Sequence, residues 1–138
     1  MESIIDNGPA PTVVNVEGLT LQNENYRTTL WTGNNLQMTL MTIAPGDDIG
    51  IEVHPDNDQF LRIEQGTAKV SIGVDKEDMQ TWTATDGFGV FVPAGNWHNL
   101  ESVGPDALKV YSIYAPSHHP HGTVHITKAD AEAAEAAE

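Results

Sequence analysis

Residues 50–60, GIEVHPDNDQF, place a carboxylate, an imidazole and a carboxamide within eight positions, at Glu52, His54 and Gln59. Side chains of these types bind metal ions or transfer protons. In an extended strand, residues two apart point the same way, so Glu52 and His54 share one face, while Ile51 and Val53 share the other. If Ile51 and Val53 formed the core face, however, the polar pair would be solvent-exposed, and this strand alone does not decide between the two arrangements.

The next strand is more informative about which side faces the interior. Gln59 shares its face with Leu61 and Ile63, so this face is apolar except for the carboxamide. The opposite face carries charged residues, including Arg62. We therefore predict that Gln59 points inward and Arg62 outward.

A second stretch, residues 87–100 (GFGVFVPAGNWHNL), contributes another histidine. A strand enters the tight turn Pro93-Ala94-Gly95, and His98 follows three residues after Gly95. Such a hairpin returns the imidazole over the same sheet. Four side chains of ligand type can therefore converge: Glu52, His54, Gln59 and His98.

The elements that must position these residues are short strands between turn signals. Strands are predicted at residues 12–17, 26–32, 36–43, 49–54, 59–65, 68–74, 80–84, 88–92, 97–102 and 107–114, with no helical period between them. This pattern predicts an all-β sandwich or barrel. The acidic tail, residues 127–138, is predicted to be a short helix beginning at Thr127 or a frayed, solvated end.

The composition restricts the classes of partner and location. Six Lys and Arg against twenty Asp and Glu give a net charge of −14, which disfavours nucleic acid and anionic membrane surfaces. The sequence has no apolar run long enough to span a membrane, and residues 1–11 do not resemble a secretory signal. We therefore expect a cytoplasmic location. Zero Cys excludes disulfides, thiolate ligands and thiol catalysis.

Residues 116–125, PSHHPHGTVH, contain four of the six histidines. The Pro and Gly content predicts a loop after the last barrel strand, with a structural or solvated role for most of its side chains. A narrower alternative is that one of His118, His119 and His121 covers a barrel mouth and acts as an acid or base. The sequence does not assign that role.

Two motifs in these stretches resemble those of the cupin superfamily. The pattern G-x5-H-x-H-x4-E-x6-G is similar to the run of Gly46, Glu52, His54, Gln59 and Gly66, and G-x5-P-x-G-x2-H-x3-N is similar to the run of Gly87, Pro93, Gly95, His98 and Ser102. The chain departs from the family at three positions. Glu52 replaces the first His, Gln59 replaces the Glu, and Ser102 replaces the closing Asn.

The resemblance implies that residues 1–138 form one domain, a small single-domain cupin of phosphomannose-isomerase-like type. The implied fold is a jelly-roll barrel, also called a double-stranded β-helix. The implied barrel core is about 26–115, preceded by an N-terminal strand segment at 9–17 and followed by the His-rich loop 116–125 and the tail 127–138. It also implies a homodimer, to which the N-terminal strand could contribute.

The resemblance further implies a metal centre. Glu52, His54 and His98 supply two imidazoles and one carboxylate, and Gln59 adds a neutral oxygen, a set that suits Mn, Fe, Ni or Zn. The leading expectation is an isomerase or lyase acting on a small sugar-like or hydroxy-acid molecule. The scarcity of basic residues, with Arg27 among the six, argues against a phosphorylated substrate. The alternatives are an Fe(II)-dependent dioxygenase and a non-catalytic module that binds a small ligand or a metal. The catalytic acid or base is not identified.

Overall fold

The computed structural model describes residues 3–136, which form two antiparallel β-sheets and two short helices. In chain order the elements are α1 (Val16–Gln22), β1 (Arg27–Thr32), β2 (Gln37–Ile43), β3 (Glu52–Val53), β4 (Asp58–Gln65), β5 (Ala68–Asp75), β6 (Asp78–Ala84), β7 (Gly89–Val92), β8 (Trp97–Ser102), β9 (Leu108–Ala115), β10 (Val124–His125) and α2 (Lys128–Ala136). The predicted all-β jelly roll with a short C-terminal helix is confirmed.

The two sheets face each other around an apolar interior. The larger sheet has the strand order β10-β1-β2-β9-β4-β7, and the smaller has the order β3-β8-β5-β6. Alternate residues of both sheets point inward, as the strand period requires. Leu61 and Ile63 of β4, Val110 of β9 and Leu100 of β8 are fully buried in this core.

A second, smaller apolar cluster covers the outer face of the larger sheet. Leu19 of α1 packs there against Leu30 of β1 and Leu40 of β2, and all three are at most 4% exposed. Because this cluster covers the outside of β1, both faces of the strand are buried, and Arg27, Thr28, Thr29 and Leu30 are each at most 2% exposed.

The prediction of an N-terminal strand, residues 9–17, is wrong. The described part of this segment contains no strand, and α1 begins at Val16 instead. Asn15 caps the helix, since its side-chain Oδ1 accepts a hydrogen bond from the Gly18 backbone N–H at 3.1 Å. The apparent alternation was misleading because Val13 is fully exposed.

Gly66 shows why one motif glycine is required for the barrel. Its φ is +94°, and a Cβ added there would lie 2.9 Å from the backbone oxygen of Ala107. Only glycine combines a left-handed conformation with so close a backbone approach. The turn between β4 and β5 therefore depends on this residue.

Among the described residues, no helix is long and apolar enough to cross a membrane.

Candidate metal centre

The centre of the site is a cross-strand pair, Glu52 of β3 and His98 of β8. These residues are direct partners in the β3–β8 ladder, so their side chains extend from the same face. Glu52 Oε1 lies 3.4 Å from His98 Nε2. His54 follows two residues later, and its Nε2 lies 3.2 Å from the same carboxylate oxygen. The predicted convergence of these three side chains is present, with their ligand atoms within 4.8 Å of one another.

His98 is oriented so that one ring nitrogen remains available to a ligand. Its Nδ1 lies 3.2 Å from the backbone oxygen of Asn96, to which an Nδ1–H donates. That tautomer leaves the Nε2 lone pair facing Glu52, and Nε2 is buried without a hydrogen-bond partner. The side chain of His98 is 0% exposed. A fixed imidazole with an unpaired inward nitrogen is the arrangement expected of a metal ligand.

The electrostatics of the cluster keep Glu52 ionised. Burial alone would raise the pKa of this carboxyl, but the adjacent His54 and His98 imidazoles, whose Nε2 atoms lie 3.2 and 3.4 Å from its Oε1, lower it by more. The net result is a pKa well below its usual range. The site therefore offers one negative oxygen donor and two imidazoles.

Gln59 lies inward on β4, as predicted, and is 4% exposed. Its Nε2 donates a hydrogen bond to the Ser112 hydroxyl at 2.8 Å, whereas its Oε1 is buried without a partner. The amide nitrogen is thus satisfied within the barrel, and the oxygen remains available. Its role as a fourth ligand stays a prediction.

The two motifs are joined through a backbone contact. The Gly95 N–H donates to the backbone oxygen of His54 at 3.0 Å, and Gly95 has a φ of +83°. This contact ties the turn before β8 to the residue after β3. It therefore fixes His98 and His54 relative to each other.

A cavity of about 570 Å³ opens beside the cluster. Glu52 and His54 line it together with residues of the segment 118–125 and of α2. The His118 ring lies 4.2 Å from the His54 ring, centroid to centroid, and stacks on Tyr114 at 5.4 Å. The residues that line the cavity are Glu52, Val53, His54, His118, His119, Pro120, Thr123, Val124, His125, Ala134 and Glu135.

The segment 116–125 differs in part from the predicted surface loop. Its last two residues, Val124–His125, pair with β1 as the strand β10, and three of its histidines line the cavity. His121 does not, because its Nε2 lies 2.8 Å from the backbone oxygen of Gly8 and 3.3 Å from Asp6 Oδ1. The sequence feature that suggested a histidine over the barrel mouth was the concentration of histidines directly after the last barrel strand.

The sequence assigns no specific role to Arg27. It is one of six basic residues that could bind an anionic substrate. The structure places Arg27 in the barrel wall at 2% exposure, with its Nε buried and without a partner. A charged residue in a strand of alternating type is ordinarily solvent-facing. Its burial follows from its place on the inner face beside Met41 of β2 and from the pairing of β10 with β1, which are tertiary features.

Comparison with known proteins agrees with this geometry. The family model described as "Cupin domain" matches residues 39–114, which include all four predicted ligands. The chain belongs to the cupin family. This cupin is 53% identical over 131 residues to the Bacillus subtilis protein YrkC, described as uncharacterized, with 94% of this chain and 70% of YrkC covered.

Solved structures show the same fold. The crystal structure of BH2720 from Bacillus halodurans is 50% identical to this cupin, with a TM-score of 0.93, covering 94% of this chain and 99% of that one. Bacillus subtilis oxalate decarboxylase is 21% identical with a TM-score of 0.58, and the match covers 63% of this chain but 23% of that enzyme. The second likeness is one of fold alone.

Proposed function

We propose that this cupin binds a divalent first-row metal ion through Glu52, His54 and His98, with Gln59 as a fourth ligand. We further propose that it is an isomerase or lyase acting on a small sugar-like or hydroxy-acid molecule. The observation that carries the proposal is the cluster itself, in which both histidines are buried and Glu52 is 23% exposed. Three ligand atoms lie within 4.8 Å of one another, and His98 Nε2 among them is buried without a hydrogen-bond partner.

The donor set fits a metal ion of this class. Two imidazole nitrogens and a carboxylate oxygen, without thiolate, suit Mn, Fe, Ni or Zn. An ionised Glu52 next to two histidines is also costly to bury unless a positive charge is close. Bacillus subtilis oxalate decarboxylase, which shares this fold, has Mn(II) centres, and this supports a divalent ion here.

The chemistry that such an ion supplies when bound is Lewis-acid stabilisation of negative charge on a substrate oxygen. The chain contributes the surroundings. Tyr114, 1% exposed, lies beside His54 with ring centroids 5.7 Å apart, and burial raises the pKa of its phenol to about 12. It therefore keeps its proton at neutral pH and serves as a hydrogen-bond donor or packing surface. His118 and residues Ala134 and Glu135 of α2 line the same cavity.

Metal analysis of protein purified without an affinity tag tests the binding step. We expect close to one equivalent of a first-row metal per chain, lost in Glu52→Ala and in His98→Ala. His121→Ala is the matched control, because it removes a histidine outside the cluster. Sub-stoichiometric metal in the unmodified protein even after refilling, or full metal in both cluster variants, would contradict the proposal.

A substrate panel tests the reaction class. Metal-loaded protein is incubated with aldoses, ketoses, uronates and hydroxy acids, and isomerised or cleaved products are sought by NMR. Oxygen uptake with a diketone or thiol, together with no turnover in the panel, would move the assignment to an Fe(II) dioxygenase. Ligand binding without any product would instead identify a non-catalytic module.

A further inference from the structure

Arg27 lies on the inner face of the barrel wall. In the β1–β2 ladder it pairs with Met41, which belongs to the buried core at 2% exposure, so both side chains extend to the interior. On its other side Arg27 pairs with His125 of β10, and its Nη1 lies 3.1 Å from His125 Nδ1. His125 lines the cavity beside the metal centre, so Arg27 lies directly behind one of the lining residues.

The guanidinium has no carboxylate partner in the described part of the chain. None of the salt bridges found there includes Arg27, and its Nε–H is buried without an acceptor. Lys109 shows how this fold satisfies another buried cation. At 5% exposure, its Nζ donates to the backbone oxygens of Leu21 and Asn23 and contacts the Glu24 carboxylate at 2.9 Å. Of the two buried cations in the described residues, Arg27 is the one without a carboxylate partner.

His119, which lines that cavity, is the second residue with an unpaired buried atom. Its Nε2 is buried without a hydrogen-bond partner, and its ring lies 5.3 Å from Tyr114 and 6.5 Å from His125 between centroids. Burial first, and then the positive charge of Arg27, lower the pKa of His119 to about 2. His119 is thus neutral, and it lies close enough to Arg27 to feel that charge.

The charges of the cavity also favour an anion. With a divalent ion bound, the ion, the Glu52 carboxylate and the Arg27 guanidinium would together give two net positive charges in and directly behind the cavity. An arginine N–H and an imidazole nitrogen offer two contacts, which match the two oxygens of a carboxylate better than the three oxygens of a phosphate. We propose that Arg27 and His119 form a carboxylate-binding subsite beside the metal centre and that the substrate is a small carboxylic acid. This inference rests on the proposed metal function and narrows its substrate class to acids.

Glycolate and ethylene glycol form a matched pair of probes, because they differ only in the carboxylate. We expect calorimetry to show that the metal-loaded protein binds glycolate and not ethylene glycol. Arg27→Gln should weaken glycolate binding about 10- to 100-fold and His119→Phe about 2- to 10-fold, while both retain full metal. Arg62→Gln is the control, since that guanidinium pairs with Glu64 at 2.8 Å on the outer face. Inorganic phosphate should bind more weakly than glycolate.

The outcomes separate this inference from the metal proposal. Full metal content with glycolate binding unchanged in Arg27→Gln, or tighter binding of phosphate, overturns the carboxylate subsite and leaves the metal centre standing. Absent metal with glycolate binding that still depends on Arg27 overturns the metal centre alone. If Arg27→Gln fails to fold, Arg27→Lys and His119→Phe take its place. Failure of glycolate to raise the unfolding temperature of the unmodified protein also counts against the subsite.

Discussion

Gln59 and Glu52 are the two residues at which the metal centre departs from the family motif. The family pattern has His at the first position and Glu at the second, so this chain has moved the carboxylate from β4 to β3. The geometry accommodates the move, because Glu52 is the direct ladder partner of His98 and lies within 3.4 Å of its Nε2. One negative ligand is retained, and the net charge of the ligand set is unchanged.

If Gln59 is a ligand, its amide oxygen should contribute to metal affinity. We expect Gln59→Leu, which keeps the side-chain volume and removes Oε1, to weaken the binding of Zn²⁺ about 10- to 100-fold in competition with a chelator dye. Gln80→Leu, an exposed change on β6, is the control. Equal affinities in the two variants would show that Gln59 only packs and bonds to Ser112.

The moved carboxylate gives a second prediction at the residue scale. Glu52→His alone removes the only carboxylate of the cluster, so metal content should fall sharply. Adding Gln59→Glu restores the family arrangement and should restore metal content to near one equivalent. Failure of the double variant to exceed the single one would mean that β4 does not reach the ion.

The spacing of residues in the sequence predicted the cluster because strand periodicity and one tight hairpin are local. Glu52 and His54 share a face through the period of two, and His98 returns through the Pro93–Gly95 turn. Arg27 and His119 could not be recognised in this way. Their positions depend on β10 pairing with β1, and the two segments are almost a hundred residues apart.

At the scale of elements, nine of the ten predicted strands are present, eight of them with small differences at their ends and the one predicted at 49–54 shortened to the two residues of β3. The prediction of a strand at 12–17 was wrong, because alternation of apolar and polar residues in an exposed segment does not indicate a core-facing side. The β10 strand was missed because two residues are too few to produce a period. The C-terminal helix was predicted, but its place in the cavity wall was not, since that depends on ion pairs with a distant turn.

Ion pairs attach α2 to the barrel. Lys128 Nζ contacts Asp47 Oδ1 at 3.0 Å and also bonds to Asp48 Oδ1, while only Ala131 of the helix is buried. The hydrogen bond from Lys128 lowers the pKa of Asp47. Burial would raise the pKa of Asp48, but hydrogen bonds from Lys128 and Asn99 lower it more.

Both aspartate pKa values are lower in the folded protein than in an unfolded chain, where the pKa of Asp is about 3.9. The stabilisation from the ion pairs with Lys128 is therefore fully present above about pH 3.9. It is lost as pH falls through the lower folded values. We therefore expect the NMR amide signals of α2 to move only in strong acid. In Lys128→Ala the same signals should already be displaced at pH 7, whereas Lys69→Ala, which breaks a surface pair with Glu101, should leave them unchanged. Identical α2 signals in Lys128→Ala and the unmodified protein would show that the ion pairs do not hold the helix.

At the scale of the whole molecule, metal binding should appear as thermal stability. A ligand at 100 times its Kd adds about 2.7 kcal/mol to the free energy of unfolding if only the folded state binds it. For a chain of this length that corresponds to roughly 5–15 °C in Tm. We expect this difference between metal-loaded and chelator-treated protein by calorimetry. His98→Ala should show no response to metal, and a response equal to that of the unmodified protein would place the ion elsewhere.

The homodimer stays a prediction, but the N-terminal segment cannot contribute the strand that was suggested for it. Residues 9–15 contain no strand, and Ala10 contacts its own chain by accepting a hydrogen bond from Trp31 Nε1 at 2.8 Å. The outer strands β6 and β7 remain unpaired on one side within the described residues and carry the exposed Trp82 and Phe91. Light scattering at micromolar concentration should give twice the 14.9 kDa chain mass. A mass of one chain would refute the dimer.

The two sides of the cavity are built from separate stretches of chain. Glu52 and His54, which line the cavity, lie in β3 and directly after it, and the buried His98 lies in β8. Most of the remaining lining comes from residues 118–125 and α2, of which only Ala131 belongs to the main core. Chimeras that exchange residues 116–136 between relatives should therefore retain the barrel and its ion while acquiring the donor's choice of small molecule. If the proposed function holds, such an arrangement would let the choice of small molecule change between relatives while Glu52, His54 and His98 stay in place.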